Sequence, residues 1–371
     1  MSLARTAKCT IVLIVAVLGF GMAAQGPSSA AGLDYLGAAS AGIARSHRWW
    51  DPSRGWYRER IGKGAPRTLA TLWGVVHLFE AVDAVAIADP TPAHVAAVRS
   101  LAAGAERYWN PNLVPVPGYA ASPGTHDPHH TTWYDDNGWW GMAFYDAFRA
   151  TGDRSYLSSV DRALTFIDSG WDPSKGGIWW NTTRSFKAGE SLAGGMMLAA
   201  LLYRETHAAR YLAMAQKYLG WADSGFKGSD GLYDRNEDDP TPMPYVEGPM
   251  AVALVMFCQT TGNAGYCDEG EELAHRAVGR FRRLTMGPQY DAMYVRSLLE
   301  LYDLDHNPLW YETAKAIIDR AVPLARGPGG LYTRTWAGKP TSTIDTPPGK
   351  LQTHAATTSI LAWMAATTPP S

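Results

Sequence analysis

The chain is poor in charge. Only 18% of its 371 residues are Asp, Glu, Lys or Arg, and 33 basic against 35 acidic residues leave a formal net charge of -2. Nothing in that balance neutralises a row of phosphates, so nucleic acid is excluded as a partner. Long blocks of like charge are missing too, and 46% hydrophobic residues describe a folded globular protein, not a disordered one. Cysteine is nearly absent, with only Cys9, Cys258 and Cys267, and without a nearby histidine pair these form no zinc centre. There is no phosphate loop, dinucleotide fingerprint or serine nucleophile elbow, and no cofactor is expected. Phenylalanine is scarce at 9 residues, against 15 Trp and 18 Tyr. Aromatics that keep a polar edge therefore dominate, as on sugar-binding surfaces.

The N-terminus reads as an address. Arg5 and Lys8 precede an apolar run over 11–20, and small residues follow through Ala30 and Ala31. A basic start, a short apolar core and small residues near a cut describe a secretory signal peptide over residues 1–31. The run is too short for a membrane span, so a secreted chain with no stable membrane insertion after cleavage is expected. Residues 32–371 read as one domain. Outside the cell, Cys258 and Cys267 can pair and close a small loop between neighbouring helices; two free thiols are the alternative.

Apolar residues recur at helical spacing almost throughout, and no run alternates as a strand does. The pattern predicts about twelve helices, near 33–50, 67–88, 92–108, 134–151, 154–169, 188–206, 208–223, 245–261, 266–284, 289–304, 307–323 and 353–366. Connections after even helices are short. Those after odd helices are long, over 50–66, 109–133, 170–187, 224–244 and 324–352, except the ninth near 286–288. Helices joined tightly at one end and loosely at the other place the long loops on one face. Six such pairs close into an all-α (α/α)6 barrel with function on that face. A weak repeat supports the pairing: Gly55-Trp56-Tyr57, Gly176-Gly177-Ile178-Trp179-Trp180, Gly231-Leu232-Tyr233 and Gly329-Gly330-Leu331-Tyr332 each follow an odd helix.

The densest chemistry lies in Trp133-Tyr134-Asp135-Asp136-Asn137-Gly138-Trp139-Trp140, where a long loop meets the fourth helix. Neighbouring helical positions point about 100° apart, so adjacent carboxylates can approach one cavity from two directions. Retaining glycosidases need two carboxyl groups about 5–5.5 Å apart, one ionised to attack and one protonated to donate. A doubly acidic helix cap is the alternative reading. This run, continuing through Thr151-Gly152-Asp153 to Tyr156-Leu157, resembles the catalytic segment of glycoside hydrolase family 76. The likeness extends to Gly176-Gly177-Ile178-Trp179-Trp180 and the helix over 190–203, and more weakly to Tyr245-Val246-Glu247-Gly248 and Tyr294-Val295-Arg296. It implies a secreted endo-α-1,6-mannanase or a related cell-wall transglycosidase on an (α/α)6 barrel, with Asp135 as nucleophile and Asp136 as general acid/base. Glu247 stands where the family often shows Gln, and Asp291-Ala292 where a Lys-Gly pair is frequent.

Trp133, Tyr134, Trp179 and Trp180 are candidate sugar platforms, because pyranose C–H faces pack on aromatic rings. Asn181 and Glu247 are candidate hydrogen-bonding partners of sugar hydroxyls; a dipole-favoured helix-start Glu is the other reading of Glu247. Core packing is expected for at least one of Trp139 and Trp140. Glu237-Asp238-Asp239 lacks the ligand spacing of a calcium loop, and the His126, His129, His130 segment lacks helical ligand geometry, so no metal is assigned. The expected partner is a polysaccharide, α-mannan or a related cell-wall glycan, handled by a monomer. A non-hydrolytic carbohydrate-binding protein on the same barrel is the alternative outside enzymology. A uronic-acid enzyme would need cations at the cleft, where Arg184 and Lys187 are the obvious ones in the central loops.

Overall fold

Two helix populations differ in how much of their surface they hide. In the computed structural model, which describes residues 33–341 and 348–371, the even-numbered helices are buried almost all round. These are α2 (Leu72–Ala88), α4 (Tyr134–Thr151), α6 (Gly189–Thr206), α8 (Pro244–Thr261), α10 (Pro288–Asp305) and α12 (Leu351–Ala366). A helix without a polar face has to sit inside a protein. The odd-numbered helices α1 (Tyr35–Ser46), α3 (Pro92–Ala105), α5 (Tyr156–Ser169), α7 (Ala209–Gly225), α9 (Ala264–Arg280) and α11 (Pro308–Ala325) bury one stripe and leave the rest to water.

Each inner helix packs on the next, from α2 through α4, α6, α8 and α10 to α12, and α12 packs back on α2. The outer helices wedge against this closed ring, α3 between α2 and α4, α5 between α4 and α6, α11 between α10 and α12. The fold is the expected (α/α)6 barrel, within a compact unit of residues 34–371. The signal-peptide reading over 1–31 lies outside the described residues. No helix among the described residues is long and apolar enough to cross a membrane.

The short connections follow from cap chemistry. Gly152 and Gly262 close α4 and α8 with φ of 70° and 73°, the left-handed backbone that ends a helix at least cost to glycine. Asn263 and Asn307 then start the following outer helices by accepting the backbone N–H of Gly265 and Leu309. At the first of these turns Cys258 and Cys267 are joined in a disulfide between α8 and α9.

At the opposite end the structure adds what helical periodicity cannot show. Two-residue strands pair β1 (Trp50–Asp51) with β2 (Trp56–Tyr57) and β3 (Trp109–Asn110) with β4 (Gly118–Tyr119). Single bridges Trp171↔Ile178, Lys227↔Tyr233 and Arg326↔Tyr332 repeat the arrangement after α5, α7 and α11. All five long odd-helix connections therefore carry a small antiparallel turn, and strands of two residues are too short to alternate. The second helix begins at Leu72, five residues later than expected at 67. Its lead-in is held extended: Glu59 donates its N–H to Thr68 O, and Ala70 donates to Tyr57 O.

These turns are tied to the barrel by one recurrent device. The fourth residue of α4, Asn137, accepts the backbone N–H of Tyr119 at 2.8 Å. The fourth residue of α8, Glu247, accepts that of Tyr233 on both oxygens at 3.1 and 3.2 Å. At the same position of α12, His354 accepts Tyr332 N–H at 3.1 Å, and in α10 Asp291 accepts a backbone hydrogen bond from Met286. A buried N–H left unpaired costs about 1–3 kcal/mol, so each polar side chain here fixes its loop.

Candidate active site

The inner helices all begin at the long-loop end, so six positive helix ends converge there. Their second residues are Trp73, Asp135, Glu190, Tyr245, Gln289 and Gln352. The two aspartates sit at the second and third positions of α4, 5% and 4% exposed. No side chain caps this helix; the preceding loop is instead sutured to the loop after α5. Tyr134 donates its N–H to Trp180 O at 3.0 Å, Thr182 donates to Thr132 O at 3.0 Å, and Trp133 bridges Asn181. That pairing brings Trp180 to Asp135, whose charge its indole N–H stabilises.

Two glycines let a third acid approach. Gly138 lies against Gly194 so closely that a Cβ on Gly138 would stand 2.8 Å from the Gly194 Cα. Gly138 is one turn beyond Asp135 and Gly194 one turn beyond Glu190, so the starts of α4 and α6 come together. Glu190 is 3% exposed, and its charge is the leading electrostatic influence pushing Asp135 up. One Glu190 oxygen accepts the Tyr245 hydroxyl at 2.9 Å, and Arg235 Nε lies 3.8 Å from the same oxygen.

Burial pushes both aspartates well above the ordinary carboxylate range, yet they are not equivalent. Asp135 has compensation: helix-start N–H groups and the Trp180 indole favour its ionised form. Asp136 has none; burial and then the neighbouring Asp135 charge both favour its protonated form. The surroundings of the pair are thus unequal: donors reach Asp135, and Asp136 faces its neighbour's charge without them. Asp135 Oδ1 is buried without a hydrogen-bond partner in the protein.

Aromatic rings wall the site on two sides. Trp133 meets Trp180 edge-on with centroids 6.1 Å apart, and Trp180 stacks on Phe186 at 4.9 Å. Opposite them, Trp73 contacts Tyr290 at 5.1 Å and Tyr290 stacks on Tyr245 at 5.1 Å. Trp139 lies within 6.1 Å of Trp73 and 6.0 Å of Tyr245, fully buried, and Trp140 is buried as well.

Of the residues singled out in the sequence, Asp135, Asp136, Trp133 and Trp180 come together here. Tyr134 does not join them: its ring packs on Phe166 at 4.9 Å and under Gly170, in the core. Trp179, next to Trp180 on an extended stretch, lies beneath the Lys187 ammonium at 5.1 Å. Asn181 spends its carbonyl on the N–H and hydroxyl of Thr183, closing its own turn. Glu247 is fully buried at the Tyr233 backbone, the strap described above. Lys187 is buried between Asp172 at 3.2 Å and Glu237 at 3.5 Å, which leaves little of it for an anionic ligand. No group of three metal-type ligands occurs among the described residues. Glu190, Tyr245, Trp73 and Tyr290 escape residue-by-residue reading. Three of them would have shown had the inner helices been aligned by their first turns, since Trp73, Glu190 and Tyr245 share the station of Asp135.

The closed double ring of helices is an (α/α)6 barrel, with buried carboxylates and aromatic walls gathered at one mouth. Residues 119–286 match Glycosyl hydrolase family 76, a segment that contains both aspartates and Glu190. No curated protein matches the chain at a significant level. Among solved structures, a family 76 α-mannanase of Bacteroides thetaiotaomicron aligns over 90% of this chain and 96% of its own, at 22% identity and a TM-score of 0.80. An inactive variant of the α-1,6-mannanase of Salegentibacter sp. HEL1_6, bearing asparagine for two consecutive aspartates and bound to α-1,6-mannotriose, aligns over 90% and 99% at 18% identity and a TM-score of 0.72. The cellobiose 2-epimerase of Spirochaeta thermophila aligns over 89% and 96% at 15% identity and a TM-score of 0.61.

Proposed function

We propose that the protein is a secreted, retaining endo-glycosidase that cleaves internal α-1,6-mannosidic bonds. The observation that carries the reading is the unequal environment of Asp135 and Asp136, one carboxylate supplied with donors and its neighbour deprived of them. The Salegentibacter enzyme, in which two consecutive aspartates were replaced in a complex with mannotriose, supports the substrate class.

In the first step Asp135 attacks the anomeric carbon, the C1–O bond breaks, and Asp136 passes its proton to the departing sugar oxygen. The product is a glycosyl ester on Asp135 and an ionised Asp136. In the second step Asp136 takes a proton from water as the water oxygen bonds C1, and the ester carboxylate leaves. Two displacements at C1 return the starting configuration. A sugar hydroxyl in place of that water gives transglycosylation by the same route.

The site suits an uncharged sugar. Three carboxyl groups share the mouth, Lys187 is already paired, and the cation near them, Arg235, lies beside Glu190. A uronate would meet like charge. Buried acceptors such as Asp135 Oδ1 instead call for hydroxyl donors.

Product analysis on unbranched α-1,6-mannan tests the reading. The wild type is expected to release short oligosaccharides, and Asp135→Asn to release none. Asp136→Asn should lose about 10²–10⁴-fold in turnover on mannan, with much of that recovered on substrates carrying good leaving groups. Undiminished turnover in either variant contradicts the assignment.

A further inference from the structure

The mouth holds one acid that the double displacement does not use. Glu190 enters from α6, the helix next to the one that carries the aspartates, and its two oxygens are held unequally. Its Oε1 accepts the Tyr245 hydroxyl at 2.9 Å, with Arg235 Nε at 3.8 Å, whereas Oε2 is buried without a hydrogen-bond partner in the protein. Burying a carboxylate oxygen with no donor costs free energy unless a ligand supplies one. The facing glycines Gly138 and Gly194 exclude any side chain from the helix contact just below, so the approach of Glu190 to Asp135 is built into the packing.

Glu190 also stands on a particular side of the pair. It is the second residue of α6 as Asp135 is of α4, and the Gly138–Gly194 contact one turn further on brings these two helix starts together, so its charge bears on Asp135. In a retaining site the nucleophile faces the sugar that becomes covalently bound, and the acid faces the leaving sugar. We propose that Glu190 is a substrate-binding residue of the glycone subsite: its free oxygen accepts a ring hydroxyl of the sugar unit that Asp135 attacks, while Tyr245 fixes the carboxylate's orientation. This inference rests on the glycosidase reading given above. Tyr245 suits that task, because burial and the adjoining acid push its hydroxyl well above its ordinary range and it remains a donor. Its ring is braced in turn by Tyr290 at 5.1 Å and Trp139 at 6.0 Å.

The test is calorimetric binding of α-1,6-mannotriose to an inactive full-length chain carrying Asp135→Asn and Asp136→Asn, with and without Glu190→Gln. Gln keeps a carbonyl for Tyr245 but removes the charged acceptor. Glu190→Gln is expected to raise Kd roughly 10- to 100-fold, the worth of a hydrogen bond to a charged group, with the melting temperature within a degree of the parent. Tyr245→Phe, which leaves the carboxylate but releases its anchor, should give a smaller loss in the same direction and serves if Glu190→Gln does not fold. An unchanged Kd in the variant that folds overturns the inference and leaves the glycosidase reading standing. A parent that does not bind mannotriose overturns both. A fall in melting temperature with no change in Kd assigns Glu190 to helix packing and also overturns it.

Discussion

Asp136 and Glu247 show how burial acts on an acid in two different ways. Both are pushed well above the ordinary carboxylate range by desolvation, but Glu247 spends both oxygens on the Tyr233 backbone, whereas Asp136 answers only to its neighbour. Glu247→Ala should therefore cost about 1–3 kcal/mol by orphaning that N–H, while Glu247→Gln, which retains an acceptor, should cost less than half as much. Urea denaturation of the two variants checks the order, and equal losses would contradict the strap. Sequence alone singled out Asp135 and Asp136 because two acids in one first turn between aromatic pairs exceed what a cap needs. It does not show that Tyr134 packs on Phe166, that Trp179 lies under Lys187 or that Asn181 closes its own turn, because the two loops pair edge to edge. Along such a pairing successive side chains point to opposite faces, and nothing in one strand's composition says which face is the cleft.

Among elements, the contact of α4 with α6 decides whether the site exists. Facing glycines permit backbone-to-backbone approach one turn below Asp135 and Glu190, and no side chain there can yield. Gly138→Ala should force the helices apart, costing about 1–3 kcal/mol and lowering kcat/KM more than a core substitution of equal cost far from the mouth. Kinetics on mannan beside a stability-matched control measures this; activity that merely follows stability would contradict it. The helices themselves were legible, because inner and outer elements carry regular apolar spacing and signals such as Pro92 after Thr91, Gly152, and Pro308 after Asn307. The late start of α2 was not. The stretch before Leu72 has acceptable helical composition, and tertiary hydrogen bonds to Tyr57 and Glu59 hold it extended.

At the scale of the whole molecule, the barrel separates its chemistry from a second buried ionic group. Arg296 on α10 contacts Glu80 on α2 at 2.6 Å, Asp146 on α4 at 2.9 Å and Glu300 at 3.1 Å, with Asp83 close by, so four acids surround one guanidinium. For Asp146, desolvation outweighs the Arg296 charge, and its carboxyl is pushed up to about 7. Between its unfolded value near 4 and that folded value, the folded chain binds more protons than the unfolded one. The stability Asp146 contributes is thus present below pH 4 and lost as pH rises toward 7. Asp146→Asn should flatten that part of the stability–pH curve, as urea midpoints at pH 5 and pH 8 would reveal; an unaltered slope would contradict it. The disulfide acts elsewhere, on the rim between α8 and α9. Closing so short a loop is worth about 2–3 kcal/mol, so reduction should lower the melting temperature by a few degrees and leave kcat unchanged.

All these features serve one claim, that Asp135 and Asp136 carry out two successive displacements at the anomeric carbon of an α-1,6-linked mannose. The most direct test is to follow by proton NMR the anomeric signals of the first oligosaccharides released from unbranched α-1,6-mannan, before mutarotation mixes them. The account expects the α-anomer first, with the β-anomer appearing only as mutarotation proceeds. Initial release of the β-anomer would mean a single displacement by water and would contradict the roles given to both aspartates.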